Sequence, residues 1–111
     1  MKYLLITLLL ASASPSHAEF IDGNDLYNSI KSEKQYEQAL ATGYIVGVHD
    51  VLVKKLFCTP SDITASKLVE VVKVELEIFT HQRKLSADSF VASALKRTWP
   101  CAPVTKLKNL L

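Results

Sequence analysis

Thr64-Ala65-Ser66-Lys67-Leu68-Val69-Glu70-Val71-Val72-Lys73-Val74-Glu75-Leu76-Glu77-Ile78-Phe79 is the stretch on which the fold class turns. Its second half, Val72-Lys73-Val74-Glu75-Leu76-Glu77-Ile78, alternates apolar and polar as a half-buried strand does. The many β-branched residues support that reading. Val69, Val72, Leu76 and Phe79, however, follow the 3–4–3 spacing of a helix face. Length decides between them, because strands usually run about 5–6 residues and Thr64 to Phe79 is ordinary for a helix. Thr64 can cap the segment, and no partner strand is visible elsewhere in the chain. The stretch reads as helix, and the fold class as all-α.

Thr80-His81-Gln82-Arg83-Lys84 follows this stretch as a polar, basic connector. Ser86 then caps a last helix with Phe90, Val91, Ala94 and Leu95 inward. That helix ends at Trp99-Pro100-Cys101, since Pro100 lacks the amide hydrogen that would continue it. Upstream, Cys58-Thr59-Pro60-Ser61-Asp62 breaks the pattern with turn chemistry. Before it a long helix is predicted from about Glu33 to Phe57, with Tyr36, Leu40, Tyr44, Val48 and Leu52 recurring every four residues on its inner face. A short helix precedes that one, opened by Asn24 as N-cap, ending near Ser32 and turning Leu26, Tyr27 and Ile30 to one side. With short connections, the result is a small compact antiparallel bundle of four to five helices. The tail 102–111 carries Leu107, Leu110 and Leu111 and is expected to dock loosely or fray.

The beginning of the chain reads differently. Lys2, the apolar run Leu4 to Ala11 and the small residues Ser16 and Ala18 around His17 make a secretory signal with a cut after Ala18. The apolar run is too short to span a bilayer, which takes about 20 residues; an uncleaved anchor is the alternative. No cysteine follows the cut, so a lipid anchor is not expected. Residues 1–18 are thus assigned as signal peptide and 19–111 as a single helical domain of a bacterial periplasm or the cell exterior, with no membrane segment after cleavage. Of 111 residues, 13 are Lys or Arg and 11 are Asp or Glu. That near balance argues against a dedicated nucleic-acid binder, which shows a clustered basic excess, and against a disordered tail.

Export decides the reading of the two cysteines. Cys58 and Cys101 are expected to form a disulfide, as exported pairs normally do. The alternative is a catalytic thiol served by His49 or His81. No Cys/His spacing suits zinc, so neither metal nor cofactor is expected. His49-Asp50 could pair a base with its orienter, but neighbours on a helix point apart, and His49 reads as a surface histidine. Ser93-Ala94-Leu95-Lys96 matches a Ser-x-x-Lys pattern only literally. No catalytic residues are assigned. The distinctive local feature is Ala39, Gly43 and Gly47, four apart on the long helix, a smooth stripe of small residues. It permits close approach, either of another helix of the same chain or of a partner such as a second copy.

The same residues carry a resemblance. Gly23-Asn24-x-Leu26-Tyr27, Gly43-Tyr44-Ile45-x-Gly47-Val48-x-Asp50, Phe57-Cys58-x-Pro60 and Ala94-Leu95-x-x-x-Trp99-Pro100-Cys101 are similar, in that order, to motifs of the Tai/Rap family. Members of that family are periplasmic immunity proteins for peptidoglycan amidase effectors of type VI secretion systems. The resemblance implies a helical, non-enzymatic protein that blocks the amidase cleft, with a homodimer as the working form. Two departures stand out. Many relatives carry a second cysteine pair near positions that are Ile30 and Ala41 here, and relatives tend to have an Asn/Pro-type turn where this chain has Thr80–Lys84. A polar turn between two packed helices can fill a concave peptide cleft, so His81, Gln82, Arg83 and Lys84 are the candidate effector contacts. Other readings are a small periplasmic acid-stress chaperone and an inhibitor of another wall-degrading enzyme.

Overall fold

The computed structural model describes residues 20–102. The signal-like segment 1–18 and residues 103–111 of the tail lie outside these. Four α-helices follow in order: α1 (Gly23–Lys31), α2 (Gln35–Leu52), α3 (Ala65–Ile78) and α4 (Ala87–Thr98), with a 3-10 turn over Thr80–Lys84 between the last two. The all-α expectation holds, and the decisive stretch is helical, with Thr64 accepting from the Lys67 amide at its N-terminus. No helix among the described residues is long and apolar enough to cross a membrane.

The start of α1 differs from expectation. Asp22 is the N-cap, and Asn24 lies within the first turn. Asp22 Oδ1 accepts from the Asp25 amide at 2.8 Å, and Asp25 Oδ2 accepts from the Asp22 amide at 3.0 Å. This reciprocal box satisfies two donors that a helix start leaves open. Ser86 occupies the N-cap of α4, but its hydroxyl is hydrogen-bonded to Ser89 Oγ instead of capping an amide.

Helix α2 ends earlier than its apolar pattern predicts, at Leu52 and not Phe57. Lys54 takes the left-handed conformation with φ of 70°. The chain then folds back so that the Lys54 amide donates to the Phe57 carbonyl at 2.7 Å. That reversal drives Phe57 into the core, where it is fully buried.

The core gathers Leu26 from α1, Ala41 and Ile45 from α2, Phe57, Leu68, Val72 and Leu76 from α3, and Phe90, Val91, Ala94 and Leu95 from α4. The inner face of α2 is therefore Ala41, Ile45 and His49, one residue round from the predicted stripe. Tyr36 and Leu40 of that stripe are 61% and 67% exposed, while Tyr44, Val48 and Leu52 pack at the core's margin. Ile30 and Ala41 both belong to this apolar assembly.

Cys58 and Cys101 are joined, with Cα atoms 4.9 Å apart, inside the range a disulfide spans. The Cys58 amide also donates to the Trp99 carbonyl at 2.8 Å. These links fasten the segment after α2 to the end of α4. Arg97 of α4 reaches Glu75 of α3 at 3.1 Å and lies over the Phe79 ring at 4.5 Å, fixing the end of α3 where the 3-10 turn departs.

Candidate functional site

The connector predicted as an effector contact is an ordered 3-10 turn anchored by its backbone. The Gln82 amide donates to the Phe79 carbonyl, and the Leu85 amide to the Gln82 carbonyl, both at 3.0 Å. Beyond the turn, the Gly23 amide donates to the Leu85 carbonyl and the Ala87 amide to the Ile21 carbonyl, both at 2.9 Å. Residues 21–23 and 85–87 thus run side by side, with an antiparallel bridge between Asp22 and Ser86. Gly23 is buried here, and a Cβ at that position would lie 2.8 Å from Arg83 Cα and from the Arg83 carbonyl oxygen. Only a residue without a side chain lets the start of α1 sit this close.

The four candidate residues divide. Arg83 turns inward: its Nε donates to the Leu76 carbonyl at 2.7 Å, and its guanidinium lies 4.0 Å from the Tyr27 ring centroid. Lys31 Nζ approaches the same ring at 4.8 Å, and the Tyr27 hydroxyl donates to Glu77 Oε2 at 3.2 Å. His81, Gln82 and Lys84 are exposed. The turn therefore shows solvent an imidazole, an amide and an ammonium group on a fixed frame, a set of donors able to meet carboxylate or carbonyl groups.

A second surface lies along α2. Ala39, Gly43 and Gly47 are all exposed, and no atom lies within 4 Å of a Cβ built on either glycine. The stripe is thus not a seat for a helix of the same chain among the described residues. Its two glycines line an open apolar cavity of about 530 Å³ with Tyr44, Val48, Val51, Leu52 and Asp88. Val51 is 64% exposed at its rim. Burial raises the Tyr44 hydroxyl above its ordinary pKa of 10.0, and the nearby Asp88 charge adds to this. Chemically the groove offers apolar area with little polar lining, as protein-binding faces do at their centres.

His49 is not the surface histidine the sequence suggests. It is 8% exposed, and its ring stacks on Phe57 with centroids 5.7 Å apart. Nδ1 lies 2.9 Å from Asp50 Oδ1 and Nε2 lies 2.7 Å from Thr59 Oγ1. Contrary to expectation, the adjacent side chains do meet. A carboxylate only accepts, so Nδ1 donates to Asp50, and in the neutral ring Nε2 is then the acceptor for the Thr59 hydroxyl. The order hydroxyl, imidazole, carboxylate is that of an activated nucleophile. Here it stitches the segment beside Cys58 to α2, around a ring that belongs to the core. The missed signal was the four-residue spacing of Ala41, Ile45 and His49.

Among the described residues, no three His, Cys, Asp or Glu side chains are gathered to hold a metal ion. The family model of the Rap1a immunity proteins matches residues 22–101, from the N-cap of α1 through the second cysteine of the disulfide. No curated protein matches the chain.

Proposed function

The chain belongs to the Rap1a immunity protein family, and on that premise we propose that it binds and neutralises a peptidoglycan amidase effector of a type VI secretion system by occupying its active-site cleft. The match across residues 22–101 carries this reading. A binding role asks for no catalytic group, and it leaves both cysteines free to form the disulfide and His49 to pack in the core. The work is done in the periplasm, after removal of residues 1–18, where the target wall lies and where a disulfide persists.

The 3-10 turn is the element that enters the cleft. His81, Gln82 and Lys84 supply the contacts, on a frame already held in the bound shape, so little ordering entropy is lost on association. The exposed face of α2 supports a homodimer. An isologous pairing sets Leu40 of one copy, which protrudes, against the shallow Gly43/Gly47 floor of the other.

The test is inhibition of muropeptide hydrolysis by a purified type VI amidase that the wild-type chain inhibits, with the triple variant His81→Ala/Gln82→Ala/Lys84→Ala beside it. The variant is expected to keep its helical signal and melting point and to dissociate faster. Unchanged inhibition by the triple variant moves the contact to a helix face. Failure of the wild-type chain to inhibit any such amidase removes the assignment.

A further inference from the structure

Arg83 sits in the proposed contact turn, yet its side chain serves the turn's own geometry. The last carbonyls of a helix have no partner within the helix, and the Leu76 carbonyl of α3 is one of them. Arg83 Nε fills that vacancy at 2.7 Å. The same guanidinium lies over the Tyr27 ring of α1 at 4.0 Å, and the Tyr27 hydroxyl is held by Glu77 of α3 at 3.2 Å. One planar group therefore ties the turn to α1 and α3 at once. Beneath it, Gly23 lets the α1 backbone approach the Arg83 backbone without a side chain between them.

We infer that Arg83 is a positioning residue: held by Tyr27 and the Leu76 carbonyl, it keeps the Thr80–Lys84 turn in its 3-10 form so that His81, Gln82 and Lys84 face outward together. The consequence for binding rests on the proposed role of this turn; the positioning itself does not. Lysine cannot replace arginine here, because the site uses a planar cation that stacks and donates sideways at once. Tyr27 acts through Arg83, although it lies on a different helix and outside the turn.

Amide hydrogen exchange tests the positioning, read at Gln82 and Leu85, whose amides close the turn, and at Phe79, whose amide donates to Glu75 within the end of α3. Loss of a partly desolvated cation–π contact corresponds to about tenfold in an opening equilibrium. Arg83→Ala and Arg83→Lys are expected to speed exchange at Gln82 and Leu85 by about that factor, with Phe79 unchanged. Tyr27→Phe keeps the ring and should resemble wild type. Tyr27→Leu should match Arg83→Ala, and the double variant should add nothing further. Unchanged exchange at Gln82 and Leu85 in Arg83→Ala overturns the inference. So does an equal rise at Phe79, which would make Arg83 a general contributor to stability.

A second arm measures affinity for the same purified amidase. Arg83→Lys is expected to weaken binding while Tyr27→Phe does not. If the His81/Gln82/Lys84 triple variant binds as wild type, the turn is not the contact, and the exchange arm alone decides the role of Arg83.

Discussion

Replacing Gly23 by alanine should cost the domain far more than the same change at Gly43 or Gly47, and the difference can be worked from the geometry. A methyl group at position 23 would lie 2.8 Å from Arg83 Cα and its carbonyl oxygen and 3.1 Å from the carbonyl carbon. Carbon atoms settle at about 3.5–4.0 Å, so the strands of backbone must part by roughly 0.7 Å. The obstructing atoms are main chain and cannot swing aside. Overpacking of this kind costs about 1–3 kcal/mol. The same parting stretches the Gly23-to-Leu85 and Ala87-to-Ile21 hydrogen bonds, now 2.9 Å each and worth about 1 kcal/mol apiece when intact. A net loss of about 2–3 kcal/mol is expected, which lowers the melting temperature by roughly 10–20 °C in a domain of this size. Gly43 and Gly47 have no atom within 4 Å of an added Cβ. Each change to alanine there should raise stability by about 1 kcal/mol, because glycine is a poor helix former. Urea and thermal unfolding at low protein concentration separate these outcomes from any change in assembly. A Gly23→Ala protein within about 0.5 kcal/mol of wild type, the usual span of an inconsequential surface change, would refute the reasoning.

Three further outcomes follow from the fold. Cys101→Ser should lower stability by about 4 kcal/mol under oxidising conditions, since the bond spans a sequence separation of 43 residues; equal melting of the variant and the oxidised wild type would contradict it. Thr59→Val leaves His49 Nε2 without its donor while keeping the side chain's shape, and should cost about 1–3 kcal/mol by urea unfolding. The folded state holds the Tyr44 proton more tightly than the unfolded chain does. Stability conferred by neutral Tyr44 is therefore present below pH 10.0 and declines as pH rises from there through the raised folded value. Tyr44→Phe should remove that part of the alkaline decline, measured as the difference between the two unfolding profiles.

How much of this was legible depended on whether neighbours in sequence or in space decide a residue's fate. Thr64–Phe79 declared itself a helix by length, and Phe90, Val91, Ala94 and Leu95 fell on one face that no competing pattern obscured. The disulfide followed from two cysteines and the signal-like start. Helix α2 misled, because apolar residues cover more than one of its sides. The large stripe of Tyr36 and Leu40 outweighed the smaller Ala41 and the polar His49, although Ala41 and His49 flank Ile45 on the buried side. Asn24 was read as the cap of α1, but Asp22 takes that place, held by its reciprocal box with Asp25 and its bridge to Ser86, a residue distant in sequence. Polar composition correctly exposed His81, Gln82 and Lys84, but it could not single out Arg83. Its orientation is set by Tyr27, on a helix distant in sequence.

The anchoring of the 3-10 turn has an evolutionary consequence. Its outer ties, Gly23 to Leu85 and Ala87 to Ile21, are bonds between main-chain groups, and a substitution at His81, Gln82 or Lys84 removes none of them. Conformation and chemical identity are thus inherited separately at this spot. If the turn is the effector contact proposed above, its exposed residues can change while the scaffold beneath stays constant, so new partner preferences need not pass through a less stable protein. Gly23 and Arg83 below are placed differently: their contacts are with the turn's own frame, so replacing either is expected to disturb every variant of the turn alike.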